Sequence, residues 1–241
     1  MKMEAKDRII FPLDFSDGKE ALRFAEILSD HVGLFKIGLE LFTSEGPHIV
    51  KKIKGIGPAG IFLDLKLHDI PATVTRAFRA ASRLAVDFVT IHADAGPKAI
   101  REAALVAKET GTKIFAVTVL TSLDKEALIQ LGYHPDIVVD IGKVVLRKAA
   151  MAREAGAHGI VCSGRELRLI RANLDPRLMT IVPGIRPRWG SIEADDQKRI
   201  ATPKDAITAG ADYLVIGRPI RDAHDPIEAA KKIAQEISEA F

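Results

Sequence analysis

Short apolar runs alternate with amphipathic stretches eight times along the chain, which predicts a single (β/α)8 barrel (TIM barrel) spanning residues 1–241. The repeat length of roughly 30 residues is that of one βαβ unit. No linker, low-complexity tract or block of like charge marks a second domain. The other architecture with this alternation, a doubly wound open sheet, is weakened because no Gly-x-Gly-x-x-Gly follows the first apolar run.

The first strand is expected over 8–13 and ends at Asp14; Ser16 and Asp17 then occupy capping positions for a helix over 17–31. A strand over 34–38 carries Lys36 and is followed by a helix over 43–56. The third strand, 60–67, reads Gly-Ile-Phe-Leu-Asp-Leu-Lys-Leu and runs through His68 and Asp69 into a helix over 71–84. The fourth, 88–92, ends at His92 with Asp94 just beyond, before a helix over 97–109. The fifth, 113–120, leads into Thr121 and Ser122, and the next helix spans 141–155. The sixth, 159–162, ends at Cys162 ahead of a helix over 165–172. The seventh, 178–182, opens into Pro183-Gly184-Ile185-Arg186 and a polar loop over 183–203; a loop so long inside a compact domain is usually functional. Thr202-Pro203 starts a helix over 203–209, with proline at a first helical position. The eighth strand, 213–217, ends at Gly217-Arg218 and precedes a helix over 226–239. Gly156 and Gly210 suit the left-handed position that closes a helix.

Composition narrows the function. Hydrophobic residues make up 47% and charged residues 28%, an ordinary globular balance. One cysteine, Cys162, excludes an intramolecular disulfide and a cysteine-rich zinc site. Lys plus Arg is 35 against Asp plus Glu at 32, too even for a general polyanion binder, and 5% aromatics leave little material for base stacking. Nucleic acid is therefore not an expected partner. Residues 1–15 fit neither a signal nor a transit peptide, and no uncharged apolar window approaches the roughly 18 residues of a membrane span. The expectation is a soluble, cytoplasmic protein.

In a barrel, functional side chains gather at the C-terminal ends of the strands. Alternation along the third strand sends Leu63, Leu65 and Leu67 towards the helices and Asp64, Lys66 and His68 into the barrel. A buried lysine needs a partner, and Asp64 at i−2 supplies one that keeps Lys66 protonated. Such a pair can serve the fold alone. With Asp14, Lys36 and Asp69 also at strand ends, the functional reading is the stronger.

Asp64-Leu-Lys66-Leu-His68-Asp69-Ile70-Pro resembles the Asp-x-Lys-x-x-Asp signature of the orotidine 5′-phosphate decarboxylase family. The resemblance covers the whole chain: Leu13-Asp14, Phe35-Lys36-Ile-Gly, Val119-Leu-Thr121-Ser122, Pro183-Gly-Ile-Arg186, Asp196-Gln197-Lys-Arg and Ile216-Gly217-Arg218-Pro follow in the order and spacing of bacterial members. It implies loss of carbon dioxide from orotidine 5′-phosphate to give UMP, the last step of de novo pyrimidine synthesis, without metal or organic cofactor. It implies Lys66 as proton donor to C6, flanked by Asp64, with Lys36 and Asp69 completing an alternating charged array. Asp69, Ile70 and Thr73 are expected to reach the neighbouring site of a homodimer. Asp14 and Lys36 match ribose ligands, and Thr121 and Ser122 the pyrimidine edge. Arg186, Gln197, Gly217 and Arg218 match the phosphate site, with Pro183 also bordering the substrate. The chemistry agrees, because guanidinium forks and backbone N–H groups at a helix start suit phosphate, and glycine lets the backbone approach closely. The loop over 183–203 then acts as a closing loop.

Two other readings remain open. Metal-dependent decarboxylases or aldolases of ketose phosphates share a similar strand signature, but those relatives carry a metal-binding glutamate where this chain has Lys36. A non-catalytic nucleotide-binding barrel would bind UMP without turnover. His92 with Asp94 reads as a hydrogen-bonded histidine or half of a metal site, and His68 as an acid–base group or a packing residue. Cys162 reads as an inert core thiol, Trp189 as a ligand cover or a surface residue, and Arg165, Arg168 and Arg171 as a solvated helix face.

Overall fold

The computed structural model describes residues 3–189 and 201–241. Eight parallel strands close into a barrel in sequence order, each paired with the next and the last with the first. They are β1 (Ile9–Pro12), β2 (Leu34–Ile37), β3 (Gly60–Leu67), β4 (Phe88–His92), β5 (Lys113–Val117), β6 (Gly159–Val161), β7 (Met179–Val182) and β8 (Tyr213–Val215). Between them lie α1 (Gly18–Leu28), α2 (Leu39–Glu45), α3 (His48–Lys54), α4 (Pro71–Ser82), α5 (Gly96–Thr110), α6 (Lys125–Gln130), α7 (Ile141–Glu154), α8 (Leu167–Asn173), α9 (Pro203–Thr208), α10 (Arg218–Arg221) and α11 (Pro226–Ser238). The predicted barrel is the observed one.

Strands covered on both faces read as nearly continuous apolar runs, and these divide between two cores. Outward residues such as Phe11, Ile61, Leu63, Val89 and Ile91 pack against Phe24, Val74 and Phe78 of the surrounding helices. Inward residues form a separate cluster of Ile10, Leu34, Phe62, Phe88, Phe115, Ile181 and Tyr213. Its rings interlock, with Phe88 centred 4.6 Å from Phe115 and 5.2 Å from Tyr213. Along each strand the inward face changes from apolar to polar: Leu34 precedes Lys36, Phe62 precedes Asp64, and Phe88 precedes Thr90. An aromatic floor thus closes the barrel beneath its polar end.

Local chemistry sets the boundaries. Asp17 caps α1 by accepting from the Lys19 N–H, and Thr202 caps α9 by accepting from Asp205 N–H. Gly156 and Gly210 adopt φ of +98° and +101°, the left-handed turns expected of them. The helix predicted over 43–56 is instead two, because Gly46 at φ +70° and Pro47, which has no N–H, break it. The predicted strand over 113–120 stops at Val117: there the Thr118 hydroxyl and N–H both turn to the Val161 carbonyl. The segment beyond adds α6, capped by Asp124, which is too short to show a helical period in the sequence. No helix among the described residues is long and apolar enough to cross a membrane.

Arg171 corrects the expectation of a solvated basic face. Its guanidinium donates to the carbonyls of Gly210 and Leu178, to Thr180 Oγ1 at 3.0 Å and to Asp212 Oδ2 at 2.7 Å. It thereby ties α8 to the starts of β7 and β8, where carbonyls and a carboxylate converge; Arg165 and Arg168 remain exposed. Because this clamp ties three elements together at the end of the barrel opposite the polar one, Arg171→Ala is expected to lower unfolding free energy by about 2–3 kcal/mol in urea titrations.

Candidate active site

At the C-terminal ends of the strands a cavity of about 450 Å³ opens above the aromatic floor. Strand alternation sets its walls: Asp14, Lys36, Asp64 and Lys66 on one side, and Val117, Val161, Ile181 and Val215 on the other. The four charged groups form a row of alternating sign. Lys36 Nζ lies 2.7 Å from Asp14 Oδ1 and 3.9 Å from Asp64 Oδ2, and Lys66 Nζ lies 2.8 Å from the same Asp64 oxygen. Asp64, at the centre, is 8% exposed, so each of its oxygens needs a donor. Oδ2 faces the two ammonium groups, and Oδ1 accepts from the Thr90 hydroxyl at 2.9 Å.

Asp64 and Lys66 both border the cavity, but not on a regular strand. The β3–β4 register shifts between Leu63 and Leu67, and Lys66 adopts φ +49°. A non-glycine residue in this left-handed region costs of order 1–3 kcal/mol, and such residues cluster at functional sites. Bulges re-aim side chains in the same way. Sequence reasoning missed Thr90. Its signal was a polar residue on the inward face of β4, between Phe88 and His92.

The opposite rim carries cationic groups. Arg186 is buried, with Nη1 bonded to the Ile185 carbonyl, and its N–H reaches the carbonyl of Ala201. Ile185 and Ala201 form a parallel bridge that draws the two ends of the 183–203 segment together. Arg218 opens α10 after Gly217, whose glycine is required: a Cβ there would stand 2.9 Å from Pro12 Cγ. Arg221, not expected from the sequence, also borders the cavity, and a hydrogen bond to Asp222 raises its pKa. Pro183 and Thr121 line the cavity as well; Ser122 is exposed and does not. Gln197 lies outside the described residues.

Asp69, Ile70 and Thr73 are not brought to this cavity. Asp69 and Thr73 border a separate depression on the outer side of β3, and Ile70 is 66% exposed at the start of α4. Asp69 Oδ1 accepts from the Ile70 N–H at 2.6 Å.

His92 is a hydrogen-bonded histidine: Nδ1 accepts from the Asp94 N–H, and its ring stacks on His68 at 5.2 Å. The Asp94 carboxylate is engaged by Lys148 at 2.7 Å. Cys162 borders the cavity but is buried, and burial pushes its thiol far above the ordinary range, as expected of an inert thiol. Trp189 stands half exposed beside Lys232 on the surface.

A closed parallel barrel with a charged row and a cationic rim at its C-terminal end defines a (β/α)8-barrel enzyme. Over residues 7–233 the sequence matches the family described as "Orotidine 5'-phosphate decarboxylase / HUMPS family". The chain belongs to that family. A protein of Pelobacter propionicus named orotidine 5′-phosphate decarboxylase is 46% identical over 239 residues, 97% of this chain and 96% of that one. One of Desulfosudis oleivorans with the same name is 43% identical over 237 residues, covering 98% and 95%. The crystal structure of orotidine 5′-phosphate decarboxylase from Lactobacillus acidophilus superposes with a TM-score of 0.81 at 32% identity, covering 95% of this chain and 98% of that one.

Burial, the largest influence, and the nearby Lys148, His68 and Lys66 lower the His92 pKa, against the opposing pull of Asp94. Burial lowers that of His158 too. The unfolded chain therefore takes up these protons first. Stability is expected to fall as pH drops through the unfolded value of about 6.5, and to stop falling once the folded histidines protonate. NMR titration of the imidazoles, with urea unfolding between about pH 5 and 7, checks both the shift and the slope.

Proposed function

We propose that the chain is an orotidine 5′-phosphate decarboxylase that forms UMP and carbon dioxide in de novo pyrimidine synthesis, without metal or organic cofactor. The observation that carries this reading is the row Asp14–Lys36–Asp64–Lys66, which presents a fixed ammonium to the cavity. Breaking the bond between C6 and the carboxylate leaves an electron pair on C6 with no adjacent sink to delocalise it. The Lys66 ammonium stabilises that charge as it develops, then transfers a proton to C6 and becomes a neutral amine. Asp64 holds the Lys66 ammonium in place through their 2.8 Å contact. Because the row is held together before substrate arrives, little reorganisation accompanies the reaction.

Substrate fits along the cavity in one direction. Arg186, Gly217 and Arg218, with Gln197, take the phosphate, Asp14 and Lys36 the ribose, and Thr121 the pyrimidine edge. Pro183 borders the substrate where the closing loop begins. Closing that loop would turn phosphate binding energy into organisation of the distant pyrimidine site. Asp69, Ile70 and Thr73 act across a homodimer; their position away from the protomer's own cavity and the exposure of Ile70 support this. The compartment is the cytoplasm.

The metal-dependent ketose-phosphate reading is disfavoured by one observation. The Lys36 ammonium sits between Asp14 and Asp64, where a divalent cation would need their carboxylates.

A spectrophotometric assay with orotidine 5′-phosphate in EDTA is expected to show full turnover, and Lys66→Ala to lower kcat by at least about 10³-fold. Strict Mg²⁺ dependence on a ketose phosphate, or UMP binding without turnover, would sink the proposal. For the shared site, mixing the inactive Lys66→Ala and Asp69→Ala chains is expected to restore part of the activity. Failure to complement despite proven subunit exchange counts against a composite site.

A further inference from the structure

Three residues of β3, Asp64, Leu65 and Lys66, lie between the pairs Leu63–Val89 and Leu67–Ile91, opposite the one β4 residue Thr90. A regular parallel ladder advances residue for residue, so this stretch lacks its ordinary backbone partners. The Lys66 N–H is satisfied by Thr90 Oγ1 instead, at 2.8 Å. The same hydroxyl donates to Asp64 Oδ1 at 2.9 Å, and Asp64 Oδ2 receives the Lys66 ammonium at 2.8 Å. Thr90 is 0% exposed, so neither bond competes with solvent.

A hydroxyl has one proton and two lone pairs. Giving its proton to the carboxylate leaves a lone pair for the Lys66 N–H, so the two bonds set each other's direction. Thr90 therefore grips Lys66 at both ends, at its backbone in the left-handed conformation and, through Asp64, at its ammonium. We infer that Thr90 is a positioning residue: its hydroxyl holds the β3 bulge in the one conformation that aims the Lys66 ammonium at the reacting carbon. This rests on the decarboxylase reading above, to which it adds a residue outside the substrate's reach. Valine has the shape of threonine but offers the Lys66 N–H no acceptor and Asp64 no donor; serine retains both.

The test compares the full-length wild type with Thr90→Val and Thr90→Ser, measuring kcat and KM for orotidine 5′-phosphate, UMP affinity and the thermal midpoint. For Thr90→Val, kcat is expected to fall about 30-fold or more, with KM and UMP affinity within about threefold of wild type, because the phosphate and ribose contacts are untouched. Thr90→Ser is expected to recover kcat to within about fivefold of wild type. A valine variant as fast as wild type, a loss of UMP affinity in step with kcat, or a serine variant no better than valine overturns the assignment. If valine prevents folding, Thr90→Ala takes its place with the same expectation, and loss of folding in both marks the hydroxyl as structural and overturns the assignment. A wild type with no turnover overturns the decarboxylase reading and this inference together, whereas an active wild type with an equally active valine variant removes Thr90 alone.

Discussion

Asp64 is a carboxylate held almost out of water at the mouth of the barrel, and the polar end of the molecule is arranged around satisfying it. An unpaired charge at that depth would carry a large desolvation penalty. Two ammonium groups and one hydroxyl meet it, and each comes from a different place in the chain: Lys36 from β2, Lys66 from β3 and Thr90 from β4. Lys36 in turn is held by Asp14 beyond the end of β1. The result is a line of alternating charge that is self-neutralising yet presents the Lys66 ammonium to the cavity.

Such a line needs a rigid base. Closure of eight strands supplies it: Lys36 on β2 and Asp64 and Lys66 on β3 belong to strands that are each hydrogen-bonded to a neighbour on either side. Below, the interlocked rings of Phe62, Phe88, Phe115 and Tyr213 pack the barrel interior. The β3 bulge borders the cavity. The far end is clamped by Arg171 and Asp212, well away from the chemistry.

Much of this was legible before the fold was known. Apolar periodicity marked all eight strands, since a strand buried on both faces cannot hide its composition. The period of two along β3 placed Asp64 and Lys66 on the inward face, and both border the cavity. What escaped were features made by residues distant in sequence. Arg171 read as one of three evenly spaced arginines on a helix, yet the carbonyls that capture it belong to residues 178 and 210. Arg221 and Thr90 carried no motif, and their importance comes from what stands opposite them. The division at Gly46 and Pro47 was visible as residue types but was outweighed by the apolar period running across it.

The sequence by itself determined the barrel, the identity of the charged residues and their assignment to strand ends, because periodicity and residue chemistry are local properties. Only the tertiary structure decided that Lys66 reaches the cavity from a left-handed bulge fastened by Thr90. It also separated Asp69, Ile70 and Thr73 from the cavity while Arg186 and Arg218 line it. The register between neighbouring strands and the direction in which a loop returns depend on side chains tens of residues apart meeting in space, and no single stretch of sequence encodes them.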